Sequence, residues 1–277
     1  MLNLMYITNS PEIAQIAVSS GVQRIFIDME TLGKEKRQKG LDTVKWCHTI
    51  DDVINMKRML PNCTILVRCN PIHDAQDGYC SSEEEIEQII SAGANIIMLP
   101  YFQTAKEVKR FVDIVDGRVR TVLLFETPSA ISNIEEILKI DGVSEYFIGL
   151  NDLSLGYGKK FMFEILADGT VENICNVFKK AGKKFGFGGI ASLGGGELRS
   201  EKIIAEHYRL GSSCVILSRS FCNVNNIADP ETIERIFEKG VKDIRDFERK
   251  CMGGQIDFLE NHKDVVADVK KIVDRIV

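Results

Sequence analysis

No stretch of this chain approaches the roughly 20 consecutive apolar residues that a membrane-spanning helix requires. The N-terminus, MLNLMYITNS, has neither the basic start nor the long apolar core of a signal peptide. A cytoplasmic protein without a membrane partner is the expectation. Positive charge is not in excess either. The chain has 35 Lys and Arg against 40 Asp and Glu, a net charge of −5, whereas a general nucleic-acid binder would be basic. No nucleic-acid partner is therefore expected, although local basic clusters can serve a small anionic substrate. The eight cysteines, Cys47, Cys63, Cys69, Cys80, Cys175, Cys214, Cys222 and Cys251, contain no Cys-x-x-Cys pair. Zinc sites usually supply closely paired ligands, so reduced and buried thiols are expected instead. No low-complexity segment, linker or solenoid motif occurs.

What is present is an alternation of short apolar runs with helical patterns. With 277 residues, 44% hydrophobic and 27% charged, the chain has the size and composition of one large soluble domain. Strand-like segments fall at Met5–Thr8, Arg24–Asp28, Thr64–Cys69, Ile96–Leu99, Val122–Phe125, Tyr146–Ile148, Phe185–Gly189 and Cys214–Leu217. Helices are expected between them, one with a capping box formed by Ser82 and Glu85, another capped by Thr104 with Glu107. Eight such units fit an α/β fold of the closed (β/α)8 barrel type, a single domain over 1–277 with an additional C-terminal helix. A long helix covers about Pro230 to Lys250, Gly253–Gly254 interrupts it, and a last helix occupies 255–277. That helix either folds back on its own barrel or packs on a neighbouring subunit.

The most informative stretch is RTVLLFETPSAISNIEEILKIDGVSEYFIGLNDLSLGYG, Arg120 to Gly158. An apolar strand ends in Glu126-Thr127-Pro128. A helix capped by Ser129 or Ser132 follows, with Ile131, Ile134, Ile137 and Leu138 as its apolar stripe. A second strand leads through Gly149 into Asn151 and Asp152. One carboxylate thus stands just past each of two strands, and ligands bind beyond the C-terminal ends of parallel strands. Two such carboxylates can hold a hard divalent cation. A helix cap for Glu126 and a turn role for Asp152 fit the spacing as well.

The pattern FETPSAISNIEEIL…GV…FIGLNDLS resembles the HpcH/HpaI aldolase/citrate lyase family, with likeness from about Gly21 to about Phe221. The resemblance implies a TIM-type barrel and a metal-dependent carbon–carbon lyase, a class II-type aldolase working next to a pyruvate-like enolate. It implies Mg²⁺ or Mn²⁺ on Glu126 and Asp152. It also implies that Arg68, in LVRCN, contacts the substrate's oxo group, and that the protein is a homo-oligomer acting on a 2-oxo acid. Asn151, Asp152 and the backbone at Gly188–Gly189 are candidates for holding substrate.

Two positions depart from the family pattern. Thr31 stands where a histidine follows the acid at the second strand exit, and Ser91 stands where an aspartate is expected. Glu30 then remains to orient a water, and His48 is the replacement base. His73, His207 and His262 have no motif around them. Lys34, Lys36, Arg37 and Lys39 fit either recognition of a second acidic group or a solvated loop. Two alternatives accompany the aldolase reading: a citrate-lyase-like or malyl-CoA-lyase-like enzyme acting on an acyl thioester, and a non-catalytic ligand-binding barrel.

Overall fold

Eight parallel strands close into a barrel in sequential order, β1-β2-β3-β4-β5-β6-β7-β8, in the computed structural model. They are β1 Asn3–Ile7, β2 Arg24–Asp28, β3 Thr64–Arg68, β4 Ile96–Leu99, β5 Arg120–Phe125, β6 Glu145–Ile148, β7 Phe185–Ile190 and β8 Cys214–Leu217. Helices lie between them, so the fold is the expected TIM-type barrel. The structure describes residues 1–34, 48–227 and 229–276. Lys36, Arg37, Lys39 and Cys47 lie outside the described residues.

The strands are short and apolar because a barrel strand is covered on both sides, by lumen side chains and by helices. β2 is buried at all five positions and β4 at all four. Registers are regular through β2–β3, where Asp28 pairs with Arg68, and through β4–β5. The β7–β8 ladder shifts between Gly186 and Gly189. A Cβ on Gly186 would stand 2.3 Å from the Cys214 carbonyl oxygen, so close strand approach explains that glycine.

Local chemistry moved several helix starts. The capping box before the helix Ser82–Ser91 is built by Ser81 and Glu84, not Ser82 and Glu85. Ser82 is the first helical residue, and its hydroxyl lies 3.1 Å from His73 Nδ1. After β5, Thr127 is the cap: its hydroxyl accepts from the Ala130 N–H, ahead of Pro128 at the first helical position. Ser129 and Ser132 are therefore not caps, and the helix is split into Pro128–Ser132 and Ile134–Ile137. Thr104 with Glu107 caps as expected.

Contacts divide the chain into two compact units. One comprises Met1–Tyr6, Ile16–Gln23 and Phe147–Val277. In it the helix Pro230–Met252 buries Glu248, which accepts from the Leu2 N–H and the Tyr208 hydroxyl. The last helix, Phe258–Val273, lies against the helix Ser200–Leu210 of the same chain. Its Asn261 and His262 meet buried Glu206 at 3.1 and 3.0 Å, and Lys202 pairs with Asp268 at 2.7 Å. The other unit comprises Ile7–Gln15 and Arg24–Tyr146. There Arg24, at the start of β2, makes two hydrogen bonds to Glu145, at the start of β6, at 2.6 and 2.7 Å. Among the described residues no helix is long and apolar enough to cross a membrane. Of the seven described cysteines all are free, and all but half-buried Cys80 are buried.

Candidate active site

Burial of charge marks the exits of β2 and β3. Asp28, the last residue of β2, is 1% exposed. An isolated carboxylate could not stay ionised there. Arg68, the last residue of β3, supplies the counter-charge: Nε donates to Asp28 Oδ1 at 2.8 Å and Nη2 to Oδ2 at 2.7 Å. The register that pairs Asp28 with Arg68 brings the two together. Lys34 adds a second cation, with Nζ 2.8 Å from Asp28 Oδ2. Lys34 is itself buried, so it is not part of a solvated loop. Glu30, also 1% exposed, faces the same cations, 3.4 Å from Arg68 Nε and 3.9 Å from Lys34 Nζ. Burial alone would raise the Asp28 pKa, but Arg68 and Lys34 outweigh it and hold the carboxyl well below its usual range. The guanidinium stays firmly charged despite burial, through Asp28, Glu30 and Glu126. It also stands over the Phe26 ring, 5.6 Å from the centroid.

Glu126, directly after β5, is buried. Its Oε1 accepts the Tyr101 backbone N–H at 2.9 Å. Tyr101 takes a left-handed conformation, φ 48°, at the exit of β4. A non-glycine residue held there costs about 1–3 kcal/mol, and here that conformation accompanies an N–H aimed at the glutamate. Sequence reasoning missed Tyr101, because nothing in Pro100-Tyr101-Phe102 signals a left-handed residue.

His48 is buried beside Asp28, and its Nδ1 accepts the Asp28 backbone N–H at 2.9 Å. Burial lowers its pKa, against the pull of Asp28 and Asp52. A neutral imidazole that accepts at Nδ1 carries its proton on Nε2. In this tautomer Nε2 carries the proton, and acting as a base through Nε2 would first require the other tautomer.

The two departures from the family pattern have structural counterparts. The N–H and hydroxyl of Thr31 both point to Asn70 Oδ1, at 2.9 and 3.4 Å. Ser91 is exposed and bonds to Glu87. His73 secures its own loop, with its ring nitrogens 2.7 Å from the Pro71 and 2.9 Å from the Cys80 carbonyl oxygens. His207 is stacked on Phe187 at 3.8 Å.

In the other unit, Asn151 and Asp152 open the helix Leu150–Gly156 after Gly149. Asn151 Nδ2 donates to Asp152 Oδ1 at 3.1 Å. Gly188 has φ +51°, and a Cβ there would come within 2.6 Å of Leu150. Backbone conformation and packing thus account for that glycine. At Gly189 a Cβ would meet only ordinary contacts, 3.4 Å and beyond.

A closed (β/α)8 barrel with charged side chains at the ends of its strands defines the class: a TIM-type barrel of the kind that carries an active site at the strand exits. The chain belongs to the HpcH/HpaI aldolase/citrate lyase family, whose model matches residues 3–209. That is a family of carbon–carbon lyases. A 4-hydroxy-2-oxovalerate aldolase of Novosphingobium aromaticivorans is 24% identical over 179 residues. The match covers 53% of this chain and 60% of that relative. Among solved structures, an HpcH/HpaI aldolase from Desulfitobacterium hafniense DCB-2 superposes with a TM-score of 0.59 at 16% identity, over 88% of this chain and 93% of the other. A family protein from Burkholderia cenocepacia J2315 gives 0.60 at 14% identity, over 88% and 95%. The citrate synthase SbnG gives 0.59 at 16% identity, over 84% and 94%. At these identities the structural likeness speaks for the fold.

Proposed function

We propose that this protein is a metal-dependent carbon–carbon lyase that cleaves or forms a bond next to a pyruvate-like enolate. The observation that carries the reading is Arg68: a permanent cation at the end of β3, largely buried and under the influence of three carboxylates, Asp28, Glu30 and Glu126. Such a cation stabilises negative charge developing on a substrate oxygen, and it does so most strongly where water is excluded.

Family members are generally dependent on a divalent metal. The donor chemistry here suits one, since Glu126 and Asp152 follow the successive strands β5 and β6 and offer hard carboxylate oxygens. Among the described residues no group of three or more His, Cys, Asp or Glu side chains is arranged to hold an ion. When bound, Mg²⁺ or Mn²⁺ supplies Lewis acidity toward a 2-oxo acid. Arg68 faces the oxo group, the backbone around Asn151 and Asp152 takes the substrate carboxylate, Gly188–Gly189 lets the backbone approach the ligand, and Glu30 orients a water. His48, in its other tautomer, is the candidate base, and a small 2-oxo acid is the substrate class.

A second reading, an acyl-thioester lyase of the citrate-lyase type, is favoured by one observation. Thr31 is bonded to Asn70 and brings no base to the β2 exit.

The test is thermal unfolding with Mn²⁺, with oxalate as an enolate mimic, and with both, for the wild type, Glu126→Ala and Asp152→Ala. Ligand at a hundredfold excess over Kd stabilises by about 2.7 kcal/mol. Oxalate should raise Tm only with Mn²⁺, and only in the wild type. A folded wild type that shows no metal-dependent shift at saturating oxalate removes the enolate site and leaves a ligand-binding barrel. Turnover of oxaloacetate against an acyl-CoA then separates the two lyase readings.

A further inference from the structure

Behind the charged cluster stands a polar pair that the proposed chemistry does not use. Asn70 follows β3 by two residues and is 7% exposed. Its side-chain oxygen accepts three times from the turn after β2: from the Thr31 N–H at 2.9 Å, the Leu32 N–H at 2.8 Å and the Thr31 hydroxyl at 3.4 Å. Its amide group donates to Glu85 Oε1 at 2.9 Å, and its backbone N–H donates to the same oxygen at 3.1 Å. Glu85 is 6% exposed on the helix Ser82–Ser91. Among the described residues its other oxygen, Oε2, is buried with no hydrogen-bond partner. A buried carboxylate with one oxygen unpaired costs stability. Its two contacts go to one residue, and that residue's three acceptor contacts go to one turn.

That turn links Glu30 to Lys34. Thr31 and Leu32 lie between them, and the Lys34 N–H donates to the Thr31 carbonyl at 3.2 Å. Arg68, which Glu30 approaches at 3.4 Å and which shares Asp28 with Lys34, lies two residues before Asn70. A shift of the turn would therefore move Glu30 relative to Arg68 and Lys34 relative to Asp28.

We propose that Asn70 and Glu85 are positioning residues for this reaction: Glu85 orients the Asn70 amide, and Asn70 pins the Thr31–Leu32 backbone so that Glu30 stays registered on Arg68 and Lys34 on Asp28. The inference rests on the functional reading above. Neither residue need touch substrate. Each acts through hydrogen bonds that fix the groups that do, as supporting shells do in other active sites. The carboxylate charge of Glu85 is not required, because Oε1 serves only as an acceptor.

The test compares the wild type, Asn70→Ala, Glu85→Ala and Glu85→Gln in Mn²⁺-dependent oxaloacetate decarboxylation, below the Tm of every variant. Hydrogen exchange over residues 29–34 is followed in parallel. Asn70→Ala and Glu85→Ala should lower kcat about 10- to 100-fold, leave KM within threefold, and speed exchange at Thr31 and Leu32. Glu85→Gln keeps the acceptor and should restore kcat and exchange protection to near wild type. A purely structural role would lower Tm without this split between kcat and KM. If Asn70→Ala does not fold, Glu85→Ala, one contact further out, carries the test. Near-wild-type kcat in a folded Ala variant, or Glu85→Gln as impaired as Glu85→Ala, overturns the positioning role alone. A wild type without Mn²⁺-dependent turnover overturns the functional reading itself. In that case unchanged exchange in Asn70→Ala would overturn the clamp as well.

Discussion

Arg68 gives both arms of its hydrogen-bonding fork to Asp28, Nε to Oδ1 and Nη2 to Oδ2, at 2.8 and 2.7 Å. The pair joins the ends of two neighbouring strands. It also explains how a carboxylate with 1% exposure remains ionised. Breaking a buried pair by removing one partner leaves the other charge unsatisfied, at a cost of about 3–5 kcal/mol. Asp28→Asn should therefore lose stability of that order in urea unfolding at pH 7. The Asp28 pKa is depressed in the folded state. Its contribution is thus complete above the unfolded value of about 3.9 and is lost as pH falls below it. A variant within 1 kcal/mol of wild type at pH 7 would show that Lys34 and Arg68 do not depend on this carboxylate.

The other buried pair lies at the strand starts. Arg24 and Glu145 are 7% and 11% exposed and separated by 121 residues in sequence. Glu145→Ala should cost about 3–5 kcal/mol. The double variant Arg24→Met/Glu145→Leu should recover most of that loss, because a well-packed apolar pair avoids the desolvation penalty. Equal losses in the single and double variants would mean that the site needs the charges themselves.

His207 should make stability depend on pH near neutrality. It is fully buried, stacked on Phe187, and hydrogen-bonded through Nδ1 to the Ser212 hydroxyl at 2.8 Å. Burial pushes its pKa down from 6.5 to about 3. With the folded value lowered, the unfolded chain takes up the proton first as pH falls. The stability is complete above about pH 6.5 and declines below it, by about 2 kcal/mol at pH 5. His207→Phe keeps the ring stack and should flatten the change in urea midpoint between pH 7 and pH 5. Equal pH dependence in both proteins would contradict the assignment.

Two adjacent glycines should behave differently. Gly188→Ala introduces a Cβ at positive φ and against Leu150, and the left-handed conformation alone costs about 1–2 kcal/mol. Gly189→Ala meets only ordinary contacts and should leave Tm nearly unchanged. If substrate approaches that backbone, Gly189→Ala should instead raise KM. Unfolding curves together with KM for oxaloacetate would separate the two effects.

Much of the fold was legible because barrel strands are short, apolar and regularly spaced. Arg24–Asp28, Ile96–Leu99 and Cys214–Leu217 have the observed boundaries, since a strand buried on both sides leaves no polar residue inside to blur its ends. The cap at Thr104 was legible for a similarly local reason: hydroxyl, spacing and glutamate all lie within one turn. Caps at Ser81 and Thr127 were misplaced by one and two residues or more, because several serines and threonines stand close together. Only backbone conformation selects among them.

By itself the sequence determined the alternation of strands and helices, the barrel class, the family pattern and the acidic residues that follow β5 and β6. Each of these is encoded in neighbouring residues. Tertiary structure alone decided that Arg68 is committed to Asp28, that Lys34 is buried, that Asn70 spans from Glu85 to the turn after β2, and that Tyr101 turns left-handed beside Glu126. Those partners are 15 to 40 residues apart, except Lys34 and Asp28. Their pairing depends on strand register and on the burial of charge, which cannot be read from spacing along the chain.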